Sequence, residues 1–349
     1  MLFKKMEFQS KARYVASCCV LCSSSSFAHD VTVYGSLRPT FEHVKVDGQK
    51  LTEKMDDNST RFGVKAAYDL QPDLKLHLGL EEGYDLSTGE ETDYPRNLYV
   101  GLSSDTWGSV AIGRLDSSNP TGSPLYSQLS SIVSFAGNDA GLTAVGTSIA
   151  NARNRTSNAI GYKSPEIEGW LFKARYYNSG HAMFNFTADD PTRSLDLGLD
   201  YKNDDFKVAL GFAKDWRQAD EKANKMDKKW QLGVRSTHFK AFQPYALYGQ
   251  EYYHQTENSQ KDIAYWITGF KLNHDQHSWV LNYMQKDVQR ELEAKQQRYQ
   301  FAYMYKVNKD LTLQAYYDHY DKNDLRDDKV TRGFGLGLKY DFKWMKAFD

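Results

Sequence analysis

Between Val31 and Phe342 the chain divides into about sixteen stretches of roughly ten residues in which apolar and polar side chains alternate. The last of them, TRGFGLGLKYDF over Thr331–Phe342, shows the pattern most clearly. Phe334, Leu336, Leu338, Tyr340 and Phe342 fall on one face, and Gly335, Gly337, Lys339 and Asp341 on the other. A repeat of two belongs to an extended strand, because successive side chains of a strand point to opposite sides. The connections alternate short and long. An even number of such strands, with tight turns at one end and long loops at the other, predicts an all-β chain. The form expected is a transmembrane antiparallel barrel whose apolar face meets lipid and whose polar face encloses water.

The strands are read at 31–44, 59–70, 74–84, 96–103, 108–115, 155–163, 170–178 and 194–202. The second half holds 206–215, 227–237, 243–253, 261–272, 277–286, 297–307, 311–320 and 331–342. Gln71-Pro72-Asp73, Asn203-Asp204-Asp205, His274-Asp275-Gln276 and Asn308-Lys309-Asp310 have the residues of compact turns. Longer polar loops fall at 45–58, 85–95, 179–193, 216–226, 254–260, 287–296 and 321–330. From Asp116 to Asn154 the chain is rich in Gly, Ser, Asn and Ala and shows no strand pattern. A loop of that length is usually functional or disordered. All strands belong to one domain, since dividing the sheet would leave unpaired edges in lipid.

Composition narrows the class. A mean hydropathy of −0.68 and the absence of any 18-residue apolar run exclude helical membrane spans. They do not exclude a barrel, in which only alternate residues meet lipid. The aromatic fraction of 14%, with 24 Tyr, suits the two interfacial belts of such a barrel. A soluble sandwich or small ligand-binding barrel would also alternate, but its strands average about 5–6 residues. Most strands here run about 9–12, the length of a tilted membrane crossing.

Residues 1–28 read as an export signal and 29–349 as the barrel. Lys4, Lys5, Lys11 and Arg13 make a basic start, Tyr14 to Cys22 a short apolar core, and Ser26-Phe27-Ala28 a small-residue cut site before His29. Val15-Ala16-Ser17-Cys18 has the outline of a lipoprotein box, but almost no apolar core precedes it. All three cysteines (Cys18, Cys19 and Cys22) lie inside this segment, so the mature chain has no disulfide, thiolate or cysteine metal site, and no cofactor is expected. Taking its four bases and one acid from the totals of 44 and 45 leaves 40 against 44, a net charge of −4. A mildly acidic chain without a basic block gives no case for nucleic acid.

Four stretches in order resemble general bacterial porins, the trimeric sixteen-stranded type of Gram-negative outer membranes. They are VTVYGSL (31–37), NSTRFGVK (58–65), RNLYVGLSSDTWGSVAIGR (96–114) and RTSNAIGYKSP (155–165). The resemblance implies a homotrimer in contact with outer-membrane lipids and lipopolysaccharide. It further implies passive diffusion of ions and small hydrophilic solutes, and a long third loop folded into the lumen; here the overlong loop is the third. Two features depart from the family. The acidic Pro-Glu-Phe-Gly-Gly loop motif is missing, the nearest loop acids being Asp116 and Asp139. Phe342 is followed by the tail Lys-Trp-Met-Lys-Ala-Phe-Asp, with Phe348 as the alternative terminal aromatic.

No catalytic motif stands out, and an enzyme is not expected. His77, His254 and His277 read as ordinary pore or interface residues. The chemistry expected is charge facing the lumen. On 59–70, Phe62, Val64, Ala66, Tyr68 and Leu70 share a face, leaving Arg61, Lys65 and Asp69 on the other. A cation on the lipid face near the midplane costs about 2–4 kcal/mol, so alternation and energy agree that Arg61 and Lys65 meet water. The same logic turns Lys75, His77 and Glu81 inward, and Ser36 and Arg38 on the first strand. By resemblance, Arg61, Arg96 and Arg155 match the stacked arginines opposite the constriction loop; Ser36 replaces a further basic position, with Arg38 one inward step along. Facing Asp116, Asp139 and Glu81, these cations would set a transverse field at the narrowest point. The plainer reading makes them solvated wall residues. Arg114, on a strand whose Val110 and Ile112 face outward, suits a subunit contact. Two alternatives stay open: a channel selective for sugars or anions, and a plugged structural or adhesive barrel. Spin labels at Phe62 and Leu78 are expected to report lipid and labels at Arg61 and His77 water; the reverse would overturn the alternation.

Overall fold

The computed structural model describes residues 30–92, 94–134, 153–178, 193–216, 226–253, 262–289, 294–323 and 329–347. They form one closed antiparallel barrel of sixteen staves. The first, β1, consists of Asp30–Leu37 and Pro39–Val46, and β2 of Thr52–Asp57 and Thr60–Gln71. Then come β3 (Leu74–Asp85), β4 (Asn97–Ser104), β5 (Gly108–Leu115), β6 (Thr156–Lys163) and β7 (Trp170–Asn178). β8 (Arg193–Lys202), β9 (Phe206–Trp216), β10 (Met226–Ser236), β11 (Phe242–Tyr253) and β12 (Asp262–His274) follow. β13 (His277–Gln289), β14 (Ala294–Lys306), β15 (Leu311–Asn323) and β16 (Lys329–Ala347) complete the wall. Each stave pairs with the next, and β16 returns to β1 in register from Asp30↔Ala347 to Leu37↔Tyr340, then from Thr40↔Gly337 to Val46↔Thr331.

Two expectations are corrected, and one loop gains an element that the sequence did not indicate. The 45–58 segment is not a loop: Pro39–Val46 and Thr52–Asp57 form a hairpin that carries β1 and β2 upward, and only residues 47–51 turn. A break remains in β2, where Ser59 adopts φ 68 and Asp57 Oδ2 accepts from the Thr60 amide at 2.8 Å. The segment after Phe342 is not a free tail. Lys343–Ala347 pairs with Asp30–Tyr34 and closes the barrel. Finally, the loop after β5 contains a helix, α1 (Pro124–Ile132).

The two-residue repeat separates the surfaces. Phe62, Leu98 and Leu336 are 40%, 52% and 52% exposed, while Thr60, Asn97 and Gln231 are at most 1% exposed. The exposed set forms the outer band. Aromatic pairs bracket it: Trp170–Tyr201 (4.8 Å), Phe242–Phe270 (5.3 Å) and Trp279–Tyr303 (5.7 Å) near the short turns, Trp230–Tyr248 (5.4 Å) and Trp266–Tyr283 (4.7 Å) toward the loops. His277 sits in the first group with Nδ1 2.7 Å from the Tyr303 hydroxyl, and His77 faces inward, 2.6 Å from Ser103 Oγ. His254 lies outside the described residues. At the turn end, Asp73 accepts from Ser104 Oγ (2.6 Å), the Asp105 amide (2.8 Å) and Thr106 Oγ1 (2.9 Å), tying two hairpin turns together. These bonds, that from Ser104 foremost, hold its carboxyl below the usual aspartate range.

Inside, several tyrosines lie flat across a glycine of the neighbouring stave: Tyr34 on Gly63, Tyr99 on Gly79, Tyr265 on Gly249 and Tyr316 on Gly335. Each ring occupies the space of a missing Cβ, which covers bare backbone and holds the register. The inner wall is not polar throughout, contrary to the simple alternation. Tyr245, Leu247, Ile263, Tyr265, Ile267 and Val280 on β11–β13 join Leu129, Ile132 and Val133 in one buried apolar cluster. The reason is α1, which needs an apolar seat.

Gly335→Ala would drive a methyl into the Tyr316 ring, which is 1% exposed and hydrogen-bonded to Glu42. The expected loss is about 1–3 kcal/mol, read as a lower urea midpoint in detergent; an unchanged midpoint would refute this packing.

Candidate functional site

α1 begins with Pro124 in its first turn and buries Pro124, Leu125, Gln128, Leu129 and Ile132 along one side. That side rests on the inward face of β8–β11. Gly198, Gly211 and Gly233 form its seat: a Cβ at Gly198 would lie 2.9 Å from Gln128 Nε2, and one at Gly233 3.0 Å from Ile132 Cγ1. Gln128 Nε2 donates to the Leu210 carbonyl (2.6 Å), Gln231 Nε2 to the Leu125 carbonyl (3.0 Å) and Arg235 to the Ile132 carbonyl (3.3 Å). Residues 135–152, including Asp139, lie outside the described residues.

The base of the loop is held by Arg175 of β7, which is fully buried. Its guanidinium donates to the carbonyls of Leu115 (3.2 Å), Asn154 (3.1 Å), Asp116 (3.0 Å) and Gly122 (2.5 Å), and to Thr156 Oγ1 (3.1 Å). One planar cation thus gathers both ends of the loop. Arg153, in the left-handed region at φ 49, sends its guanidinium to Asp196 Oδ1 (2.9 Å), Asp215 Oδ2 (2.7 Å) and the Tyr177 hydroxyl (2.6 Å).

Between the other side of α1 and the facing staves lies a polar recess lined by Arg61, Glu81, Arg96, Asp116, Ser117, Ser118, Tyr126, Ser130, Asn154 and Arg155. β2, β3 and the chain entering β4 and β6 bring the three arginines to one level. Glu81 accepts from Arg96 Nε (2.8 Å) and from the Tyr34 hydroxyl (2.8 Å), with Arg61 Nε at 4.0 Å. Glu81 therefore stands on the arginine wall and partly neutralises it, instead of opposing it across the lumen. Asp116 is 2% exposed and accepts from the Ser118 amide at 2.5 Å. Three guanidinium groups and two carboxylates leave one excess positive charge. Arg96 is sealed by Glu81, whereas Arg155 is exposed. Lys65 adds a cation at the margin, donating to the Ser118 carbonyl (2.9 Å) with Nζ 5.0 Å from the Tyr34 ring centre.

The structure thus brings Arg61, Arg96, Arg155, Glu81 and Asp116 together, with Lys65 alongside. Arg38 does not line the recess: it is 3% exposed and donates from Nε to Ser36 Oγ (2.7 Å), which donates to Asp341 (2.6 Å). Arg114 binds the Pro95 carbonyl and Ser157 Oγ, each at 2.5 Å. Arg153, Arg175 and α1 were not anticipated. Alternation does place Lys173 and Arg175 inward on β7, but it does not say that a loop returns to meet them.

The Gram-negative porin family pattern matches residues 15–325. The chain belongs to the Gram-negative porin family. An outer membrane porin protein of Bordetella pertussis is 24% identical over 167 residues, 44% of this chain and 42% of that protein, so the match spans less than half of the relative. Among solved structures, the anion-selective porin from Comamonas acidovorans superposes with a TM-score of 0.74 at 18% identity, covering 89% of this chain and 99% of that one. OmpT of Vibrio cholerae in its trimer form gives 0.66 at 15% identity, covering 89% and 99%. Salmonella typhi OmpF in complex with daunomycin gives 0.66 at 15%, covering 89% and 97%. These likenesses establish the barrel, and family membership establishes the role: this porin is a channel for diffusion across the outer membrane.

Arg175→Met would orphan several buried carbonyls of the porin, each worth about 1–3 kcal/mol when left unpaired. Limited proteolysis of the folded barrel is expected to cut within 116–154 faster than in wild type; equal cutting would remove Arg175 as the loop's anchor.

Proposed function

We propose that this porin is a general diffusion channel for small hydrophilic solutes and ions with a weak preference for anions. The observation that carries this is the excess positive charge of the recess, three guanidinium groups against two carboxylates, with Arg155 open to water. In water a unit charge acts on an ion about 4 Å away by about 1 kcal/mol, roughly a fivefold bias in local ion ratio. That produces preference, not exclusion. On this reading the segment from Asp116 through α1 narrows the lumen, so that solutes pass between the glycine-seated helix and the arginine wall. The likeness to an anion-selective porin agrees with this sign.

The same reading takes residues 1–28 as an export signal and the assembly as a homotrimer, in keeping with the trimeric form among the structural neighbours. The outer band would meet lipid and lipopolysaccharide. No catalytic step and no cofactor is assigned, because movement down a gradient requires neither.

Reversal potentials in a potassium chloride gradient test the proposal. Wild type is expected to favour chloride, and Arg61→Ala with Arg155→Ala to shift the permeability ratio several-fold toward potassium. Strong potassium preference in wild type would reject it.

A further inference from the structure

Below α1, toward the short turns, the inner wall carries a second set of charges. Lys202 of β8 faces Lys207 of β9 directly in register, and Lys207 faces Arg235 of β10. All three lie on the inward face, since Gly198, Gly211 and Gly233 of the same staves seat the helix. Directly opposed residues have their Cβ atoms about 4.5–5.5 Å apart, and like charges placed so destabilise a sheet. The row continues through Gln243, which accepts from Arg235 at 2.7 Å, to Lys271, the register partner of Gln243.

Little nearby offsets this repulsion. Lys202 reaches Glu166 at 2.6 Å on the exposed rim. Lys207 forms no ion pair with any described residue, and the Arg235 guanidinium donates to neutral acceptors, Gln243 Oε1 and the Ile132 carbonyl. Elsewhere on the inner wall the fold treats cations differently. Arg153 has Asp196 and Asp215, Lys229 has Glu251 at 3.4 Å, and Arg298 is locked to Asp318 with both side chains fully buried. These cations have carboxylates, and buried Arg175 has a set of carbonyls around it, whereas Lys207 has no such partner among the described residues. Three directly opposed cations with a single rim carboxylate, Glu166, leave room for a transient counter-charge.

We propose that the Lys202–Lys207–Arg235 row is a docking strip for polyvalent oxyanions at the short-turn mouth, in series with the recess. Three cations on adjacent staves span two interstrand steps, roughly 10 Å. That spacing suits several linked charged groups, as in a condensed phosphate, better than a single chloride. Arg235 offers a planar fork for two oxygens and the lysines offer point charges. The strip rests on the channel and not on the anion preference of the recess.

The test uses single-channel currents in planar bilayers, with inorganic tripolyphosphate added to one side at a time. Wild type is expected to be blocked from one side only. Lys207→Gln with Arg235→Gln is expected to weaken that block roughly tenfold, with open-channel conductance in potassium chloride retained as proof of folding. If the double variant opens no channels, Lys207→Gln alone carries the comparison. Equal block from both sides, or undiminished block in the variant, would overturn the strip. Block abolished by the Arg61→Ala and Arg155→Ala variant instead would assign it to the recess and equally overturn the strip, without touching the recess reading.

Discussion

In lipid no water is available to a backbone amide or carbonyl, so every such group must find a partner within the protein. The rest of this molecule follows from that requirement. It forces the pairing of β16 with β1 along their length, and it explains why Lys343–Ala347 is strand: Asp30–Tyr34 would otherwise present an open edge. Closure then makes the two faces of each stave unequal. One meets hydrocarbon and must be apolar, while the other is enclosed and can be packed, charged or wet.

The enclosed side uses all three options. Over β8–β13 it is packed, with α1 on a glycine seat and apolar side chains beside it. Around Arg61, Arg96 and Arg155 it is charged, with Arg155 open to water. Between these regions stands Arg175, whose hydrogen bonds to carbonyls at both ends of the loop join packing to electrostatics. The two sides of the interior are thus fixed differently, the α1 side by van der Waals contact and the arginine side by charge.

Sixteen staves, their order and their inward sides were legible from alternation, because a one-residue slip would turn every apolar side chain from lipid to water. Arg61, Glu81 and Lys65 were placed on the inner face by the same logic, and the common level of Arg61, Arg96 and Arg155 by resemblance. Other features left no periodic trace. Thr52–Asp57 returns beside Pro39–Val46 in a hairpin although TEKMDD carries a single apolar residue, Met55. Glu81 was expected to face the arginines across the lumen, yet it pairs with Arg96 beside it, since the choice between wall partner and opposite wall depends on distance in space.

What the amino-acid order determined by itself is therefore the wall: a two-residue repeat is a local property, and burial in lipid enforces it at every step. What only the tertiary structure decided is the use of the interior. Gly198, Gly211 and Gly233 are small residues like any others until α1 lies on them, and Arg175 is one more inward cation until the ends of a distant loop converge on it. Those meanings arise from contacts between residues far apart in the chain, which a local pattern does not encode.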